Sequence, residues 1–427
     1  MRNLQKLAAG ALEEILEGAA LHQVLPQRLQ NLETPGERGA LQDIVYGSLR
    51  YLGRLDVWLE ALLQRPLTDP QLGLLLRVAL YQLAYTRAPA HAVVHNAVTA
   101  AGEGWRRGLA NAVLRNFQRR RAELEKLADG VPVGRWSHPD WWIKRVQTDY
   151  PDKWQNILQA GLAHPPFTLR VNTRHGTVET YLQRLTDAGF PAQQTGASAL
   201  TLEKAVAVHQ LPGFAEGDVS VQDAGAQWGA VLLDAQPGQR VLDACAAPGG
   251  KSGHILELAD VQLTALDIDA ARLDRVRENM DRLGLHAGLV TGDAATPASW
   301  WDGQPFDRIL ADVPCTASGV VRRNPDIKWL RRPEDIAGFA KQQAAMLDAL
   351  WPLLATGGKL LYATCSIFPE ENDLQVQAFI ERQNAVSQAR SGRAEVERCA
   401  LPDAIEDGKI LPDATHDGFF YALLRKS

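Results

Sequence analysis

Residues 241–252 read VLDACAAPGGKS, and this stretch decides the fold class that we expect for the chain. Its first residues form an apolar run typical of a buried strand, and Gly250–Leu258 has the pattern of a helix. Gly249 and Gly250 lie at the turn between them, where a ligand can approach the backbone without meeting a side chain. The first N–H groups of the helix can bind a carboxylate. The stretch therefore predicts a strand–loop–helix unit that binds a small anionic ligand.

Strands and helices alternate on both sides of this loop. The predicted strands are Arg240–Ala244, Gln262–Leu266, Gly288–Thr291, Arg308–Ala311 and Lys359–Thr364. The predicted helices between them include Ala270–Leu283 and Glu334–Leu354. Strands that are separated by helices form parallel, doubly wound sheets, so we predict a Rossmann-like α/β domain over residues 236–427. Phe419–Leu424 is predicted as a further strand, antiparallel and at the edge.

Acidic side chains follow three of these strands. In open α/β sheets a ligand binds beyond the carboxyl ends of the strands. Asp267 lies about 20 residues beyond the glycines, where nucleoside-binding sheets place a ligand of the ribose hydroxyls. Asp293 could accept a hydrogen bond from an adenine amino group, and Asp312 ends the next strand. Each of them alone is as often a helix cap, but their joint spacing predicts a nucleoside-containing cofactor.

A nucleotide triphosphatase is the main alternative for the glycine loop. Gly250, Lys251 and Ser252 resemble the end of a P-loop. That motif requires glycine where Cys245 stands, and Pro248 removes an N–H group that would bind phosphate. The P-loop interpretation is therefore rejected.

The four cysteines, Cys245, Cys315, Cys365 and Cys399, form no C-x-x-C pair, and no histidine cluster lies near them. We expect free thiols and no metal site. Cys399 lacks any motif and is predicted to pack as a small apolar residue. Cys315 and Cys365 follow neighbouring strands and should face one cleft. A thiolate there could add to carbon 6 of a cytosine and activate carbon 5, and the spacing leaves open which thiol attacks.

Residues 1 to 130 are predicted to be helical, because Leu55, Trp58, Leu59 and Leu62 form one apolar stripe. Residues 1–145 carry a net charge of +5 and the remainder −10, which fits an RNA-docking module attached to an acidic body. A solvated helical surface explains the charge equally well. Basic residues that could hold phosphates end the last helix: Arg115, Arg119, Arg120, Arg121 and Lys126.

Between these parts we predict a linker at Gly130–Pro139 and a small α+β segment. The segment's predicted elements are the strands Phe167–Val171 and Leu200–Ala207 and the helix Val178–Ala188. The stretch Val320–Arg332 mixes basic residues with Trp329, which suits an RNA strand at the rim of the site, with a solvated loop as the alternative. The chain lacks a secretory signal and an apolar run long enough to span a bilayer, so we expect it in the cytoplasm.

Three motifs resemble those of the Nol/Nop/Sun family of RNA m5C methyltransferases: CAAPGGK at 245–251, DVPC at 312–315 and ATCSIFPEEN at 363–372. The resemblance implies a class I methyltransferase domain that uses S-adenosylmethionine, releases S-adenosylhomocysteine and needs no metal. It implies that Cys365 attacks carbon 6, that Cys315 assists release of the methylated RNA, and that Asp312 is catalytic. The implied cofactor-binding residues are Cys245, Ala246, Ala247, Pro248, Gly249, Gly250, Lys251, Asp267, Asp293 and Asp312.

The N-terminal part resembles the helical NusB fold through DIVYGSL at 43–49, VVHNAV at 93–98 and GLANAVLR at 108–115. A NusB-like domain before this catalytic module is the layout of bacterial family members that methylate a cytosine of 16S rRNA. The resemblance thus implies a NusB-like domain at 1–135, an α+β segment at 140–235, a methyltransferase domain at 236–427, 16S rRNA as partner and a monomer.

Three other functions are considered beside this one. The first is a cytosine-C5 methyltransferase that acts on tRNA, against which the NusB-like part speaks only by analogy. The second is a non-catalytic RNA-binding factor of the NusB type, which intact cysteines and strand-end polar groups disfavour. The third is an amino-methyltransferase, which would need Asn/Asp-Pro-Pro-aromatic where Asp312–Cys315 stands and would not need Cys365.

Overall fold

The computed structural model describes residues 3–391 and 395–427 and divides into two compact units. The helical unit contains Met1–His164 and the separate segment Val321–Pro333. The mixed unit contains Pro165–Val320 and Glu334–Ser427. The predicted division at 1–135, 140–235 and 236–427 stays a prediction, and the helical unit extends beyond its first boundary.

Helices build the first unit, as predicted. Their bounds are α1 Leu4–Leu16, α2 Leu21–Gln30, α3 Pro35–Arg50, α4 Leu52–Leu62, α5 Pro70–Tyr85, α6 Ala90–Ala100, α7 Trp105–Asp129, α8 Pro132–Trp136, α9 Asp140–Asp149 and α10 Trp154–Leu162. The predicted stripe on α4 is buried in their common core. Trp58 from that stripe satisfies its indole N–H by donating to the backbone oxygen of Leu124 at 2.9 Å, so the ring can be buried without an unpaired polar atom.

The predicted linker at Gly130–Pro139 is wrong. The residues form α8 and the turn after it, where Trp136, Ser137 and His138 are buried. The Gly and Pro punctuation marks the ends of a short helix, because Pro132 occupies its first turn, where no N–H partner is needed.

The prediction that Val320–Arg332 forms an RNA-facing strip is wrong for its central cations. Arg322 and Lys328 are buried inside the helical unit. Lys328 Nζ donates to the backbone oxygen of Arg50 at 2.9 Å, and Trp329 Nε1 donates to that of Leu49 at 2.7 Å. The Trp329 ring packs against the helical core. Apolar packing and backbone carbonyl acceptors therefore hold these side chains inside the helical unit. The sequence pattern could not distinguish this arrangement from an exposed basic loop.

The mixed unit begins with a small antiparallel sheet. Its strands are β1 Phe167–Val171, β2 Ala192–Gln194, β3 Ala199–Leu202 and β4 Val219–Val221, in the order β2-β3-β1-β4. Helix α11, Val178–Asp187, contributes Tyr181 and Leu185 to the core beneath the sheet. The predicted strand at Leu200–Ala207 is shorter than expected, since it ends at Leu202.

A large sheet carries the rest of the unit. Its strands are β5 Arg240–Ala244, β6 Gln262–Asp267, β7 Gly288–Thr291, β8 Phe306–Asp312, β9 Leu354–Thr364, β10 Val396–Arg398, β11 Lys409–Ile410 and β12 Phe419–Lys426. The helices are α12 Ala224–Leu233, α13 Gly250–Leu258, α14 Ala270–Leu283, α15 Pro333–Leu350 and α16 Asp373–Ser391. The order β10-β12-β9-β8-β5-β6-β7, with β5 to β9 parallel, confirms the predicted Rossmann-like α/β class.

The topological switch lies between β5 and β8, because the chain leaves β5 for β6 on one side and returns to β8 on the other. The prediction that Phe419–Leu424 is an edge strand is wrong in one respect. β12 is antiparallel to β9, as expected, but β10 pairs with its other side. The three residues of β10 are too few to give a periodic signal in the sequence.

A buried ion pair joins the small sheet to the helix that follows the glycine loop. Arg170 on β1 donates from Nε and Nη2 to the two carboxylate oxygens of Glu257 on α13, at 2.8 and 2.6 Å. The Arg170 Nη1 donates to the backbone oxygen of Gly250 at 2.7 Å. This contact fixes the first turn of α13 relative to β1.

Among the residues that the structure describes, none of the helices combines the length and apolarity needed to traverse a bilayer.

We predict that Glu257→Gln lowers the free energy of unfolding by about 3–5 kcal/mol, because it leaves Arg170 buried without its counter-charge. Asp274→Asn, which breaks the exposed Arg277–Asp274 pair, is the matched control and should cost at most about 1 kcal/mol. Urea unfolding of the full chain measures both. Equal losses of unfolding free energy in the two variants would contradict the role assigned to the buried Arg170–Glu257 pair.

A second prediction concerns the pH dependence of stability. Burial, reinforced by Arg50, holds the pKa of Lys328 well below its usual range. Between that lowered value and about pH 10 the unfolded chain binds a proton that the folded chain does not, so stability rises with pH by up to about 1.4 kcal/mol per unit. Lys328→Met removes this slope. Unfolding measured across this range in the variant should therefore be flatter than in the wild type, and an unchanged slope would refute the assignment.

Candidate active site

The glycine loop connects β5 to α13 at the switch point of the sheet. Cys245 and Gly249 adopt positive φ values of 67° and 94°, so the chain turns sharply at both ends of the loop. A side chain at Gly249 would also meet Val276 at 3.1 Å. Pro248 lies between them, and its backbone oxygen accepts from Asn279 Nδ2 at 2.8 Å. The loop is therefore a fixed cradle that ends at the N-terminus of a helix.

Asp267 at the end of β6 supports this loop directly. Its Oδ2 accepts from the backbone N–H of Ala247 at 3.1 Å, and Arg272 Nη2 donates to the backbone oxygen of Ala247 at 2.9 Å. The Asp267 side chain is buried. Ile268, the next residue, is 69% exposed beside it. The structure thus brings Asp267 and the predicted loop together and places an exposed apolar side chain at their edge.

The other two predicted strand-end carboxylates occupy different surroundings. Asp293 after β7 is half-buried and accepts from the backbone N–H of Ala295 at 2.9 Å. Asp312 at the end of β8 accepts from Lys251 Nζ at 2.6 Å. Burial alone would lower the pKa of Lys251, but the charge of Asp312 outweighs it and the pKa is raised. Lys251 therefore stays protonated beside Asp312.

Asp243 is a buried carboxylate that the sequence reasoning missed, although it stands within the opening motif. Ser252 Oγ donates to its Oδ2 at 2.5 Å, whereas Oδ1 has no hydrogen-bond partner among the described residues. Burial raises the pKa of Asp243 to about 7. An acidic residue inside an apolar strand was the signal that could have identified it.

The two motif cysteines meet at the ends of neighbouring strands. Cys315 follows β8, Cys365 follows β9, and their sulfurs lie 3.4 Å apart. Cys365 is half-buried and Cys315 is 9% exposed. The hydrogen bond with Cys365 raises the pKa of the Cys315 thiol, and burial raises it further. Cys315 therefore holds its proton beside a more accessible sulfur.

The Lys251 side chain is surrounded by residues from distant elements. The charge of Asp312 is the main cause that raises its pKa, and Cys365 contributes less. The Lys251 side chain runs past Gly229 of α12, where an added Cβ would meet its Cδ at 3.1 Å, and Phe419 lies beneath its ammonium group with the ring centre at 5.8 Å. Gly229 and Phe419 were not identified from the sequence, because they come from distant elements. Cys399 packs separately against the core of the sheet, as predicted.

Family models match the three parts of the chain in order. Residues 2–119 match the NusB family, residues 138–209 match the ferredoxin-like domain of RsmF/B-like methyltransferases, and residues 230–425 match the 16S rRNA methyltransferase RsmB/F family. A Vibrio cholerae protein named ribosomal RNA small subunit methyltransferase B is 46% identical over 99% of this chain and 98% of its own length. The chain belongs to the RsmB/F family.

A second relative supports the family, and a solved structure supports the fold. A Pseudomonas putida protein with the same name is 45% identical, covering 99% of this chain and 98% of its own. The crystal structure of PH0851 aligns with a TM-score of 0.78 at 24% identity, over 100% of this chain and 99% of the other. That likeness concerns the fold alone. The predicted family and the NusB-like N-terminal part are confirmed.

The basic cluster on α7 is largely on the surface of this RsmB/F protein. Arg115, Arg119, Arg121 and Lys126 are exposed. Arg120 and Arg121 form ion pairs with Glu123 and Glu125 of the same helix. Phosphate binding by this cluster stays a prediction.

We predict that iodoacetamide labels Cys365 at least about tenfold faster than Cys315 near neutral pH, because the Cys315 sulfur is nearly covered and its pKa is raised. Peptide mass spectrometry after limited labelling of the folded protein separates the two sites. In urea, where all four cysteines are exposed, the difference should disappear. Faster labelling of Cys315 in the folded protein would contradict the assignment.

Proposed function

We propose that this RsmB/F protein transfers a methyl group from S-adenosylmethionine to carbon 5 of a cytosine in 16S rRNA, with Cys365 as covalent nucleophile and Cys315 as the group that assists release. The observation that carries the proposal is the pair of sulfurs 3.4 Å apart beside the Lys251–Asp312 ion pair. Neither methylation of an exocyclic amine nor phosphate hydrolysis requires two such thiols.

The residues around the glycine loop fit S-adenosylmethionine. The turn at Gly249 admits a ligand to the backbone, and the N-terminal N–H groups of α13 suit its carboxylate. Asp267 and Asp293 offer acceptors for its hydroxyl and amino groups, and exposed Ile268 offers an apolar contact for an adenine ring. When bound, the cofactor would supply an electrophilic methyl group on a sulfonium. Cys245, Ala246, Ala247, Pro248, Gly250 and Lys251 complete the proposed cofactor loop, and Asp312 borders it.

Cys365 would act as the nucleophile. Its thiolate adds to carbon 6 of the cytosine, which breaks the aromaticity of the ring and makes carbon 5 reactive. Lys251 holds Oδ2 of Asp312, so that Oδ1 can accept from the cytosine N4 amino group.

Cys315 would act after the carbon–sulfur bond has formed. Its pKa is raised first of all by the hydrogen bond with Cys365. Once Cys365 is bound to carbon 6, that cause disappears and Cys315 can lose its proton more readily. After the methyl group is on carbon 5, a Cys315 sulfur that has given its proton to water can take up the carbon 5 proton. The electrons of the broken C–H bond then form the carbon 5–carbon 6 double bond, the Cys365–carbon bond breaks with Cys365 leaving as a thiolate, and the aromatic ring is restored. The raised pKa of Cys315 supports the proposed order, in which Cys365 attacks first.

The helical unit is the proposed RNA-docking part, with the exposed face of α7 as its phosphate contact. The target base must be flipped out of its stack to reach two partly buried sulfurs. We place this activity in the cytoplasm and assign it to a monomer. 16S rRNA is preferred over tRNA because the relatives at 45% identity or more are named for the small ribosomal subunit.

We predict opposite outcomes for the two cysteine variants with unmodified 16S rRNA and labelled S-adenosylmethionine. Cys365→Ala should lower methyl transfer by more than about a thousandfold while S-adenosylhomocysteine still binds. Cys315→Ala should leave RNA covalently attached, which a denaturing gel detects as a slow-migrating band. Cys399→Ala is the matched control and should behave as the wild type.

Bisulfite sequencing of the product distinguishes the alternatives. A new 5-methylcytosine in 16S rRNA supports the proposal. Methylation of tRNA in its place would support the sister activity, and RNA binding without any methylation would support a non-catalytic factor. Retained turnover in Cys365→Ala would refute the covalent mechanism.

A further inference from the structure

We infer that Glu371 is a positioning residue: it ties the loop after β8 to the loop after β9 and thereby holds the Cys315 and Cys365 sulfurs together. The kinetic test of this inference depends on the proposed function, whereas its chemical test depends only on the positions of the two sulfurs.

Glu371 lies fully buried behind the thiols, in the turn that precedes α16. Its Oε1 accepts from the backbone N–H of Thr316 at 2.8 Å and from Gln343 Nε2 at 3.1 Å. Its Oε2 accepts from Thr316 Oγ1 at 2.5 Å and from Ser366 Oγ. Thr316 follows Cys315 in the chain and Ser366 follows Cys365. One carboxylate therefore binds the residue next to each thiol.

A third hydroxyl completes the connection between the loops. Ser318 Oγ lies 3.0 Å from Ser366 Oγ and 3.1 Å from Thr316 Oγ1, and it accepts from the backbone N–H of Ile367 at 2.9 Å. The backbone N–H of Phe368 donates to Ser366 Oγ at 3.0 Å. The hydroxyls are thus satisfied in a closed network, which is rigid because each member has a defined partner.

The network requires a group with two acceptor oxygens at position 371. Four donors converge on one carboxylate, and charge-assisted hydrogen bonds are stronger than neutral ones. An amide in its place would present an NH₂ group to one pair of these donors. Burial raises the pKa of Glu371, and the hydrogen bonds from Ser366 and Thr316 oppose that effect.

Glu371 itself cannot contact the cytosine, because no part of it reaches the surface. Its effect must pass through the loops that carry the sulfurs. Misplacement of a reacting group by about 1 Å can cost a factor of about 100 in rate. Loss of the hydrogen bonds between Glu371 and the two loops should therefore lower kcat, whereas the binding of RNA and of the cofactor should persist.

The kinetic test compares Glu371→Gln with Glu334→Gln, which removes the same charge from an exposed residue at the start of α15. We expect kcat to fall about 10–100-fold in Glu371→Gln with little change in KM for RNA. Glu334→Gln should resemble the wild type. Thr316→Val, which removes one donor, should add little to Glu371→Gln in a double-mutant cycle. A wild-type kcat, or a loss confined to KM, would overturn the inference. Absence of methylation by the wild type would instead refute the proposed function.

The chemical test needs neither RNA nor cofactor. Phenylarsine oxide bridges two adjacent thiols: both S–H protons leave with the arsenic-bound oxygen as water, and two arsenic–sulfur bonds form without oxidation. We expect the wild type and Glu334→Gln to bind one equivalent, with Cys315 and Cys365 both protected from alkylation. Affinity should fall about tenfold in Glu371→Gln and be abolished in Cys315→Ser. Undiminished bridging in Glu371→Gln would overturn the inference whatever the kinetic result.

Discussion

Parallel strands joined by helices all end at the same edge of a sheet, and the candidate site depends on this constraint. β5, β6, β8 and β9 end side by side, so residues far apart in the chain meet there. The loop from Cys245 to Gly249 follows β5 and Cys365 follows β9, while Asp267 and Asp312 are the last residues of β6 and β8. The switch between β5 and β8 separates the helices on the two faces and leaves the space in which a ligand can lie.

Charge at this edge is arranged in pairs. Lys251 donates to Asp312, and the charge of Asp312 raises the pKa of Lys251. Behind the edge, Glu371 is satisfied by hydrogen-bond donors. The two environments differ in kind. The ion pair at the edge can respond to charge that develops beside it. The hydrogen bonds of Glu371 form a rigid network, because breaking them would leave a buried carboxylate unpaired, which is costly.

The helical unit includes a segment that belongs to the catalytic half of the sequence. Val321–Pro333 follows the loop of Cys315 and precedes α15, yet it packs with the helices through Lys328 and Trp329. Arg322 and Lys328 of this segment are buried, whereas Arg332 and most of the basic residues of α7 are exposed.

The sequence by itself determined the fold class, the helical N-terminal part, the glycine loop and the pair of motif cysteines. These features depend on local periodicity and on short, ordered motifs, which a single chain reveals directly. It misjudged Lys328 and the segment Gly130–Pro139, because polar or punctuated stretches have the same pattern whether solvent or protein surrounds them. Only the tertiary structure placed the sulfurs of Cys315 and Cys365 3.4 Å apart and put Glu371 behind them. Distances and burial depend on the packing of elements that are remote in sequence, and no local pattern encodes them.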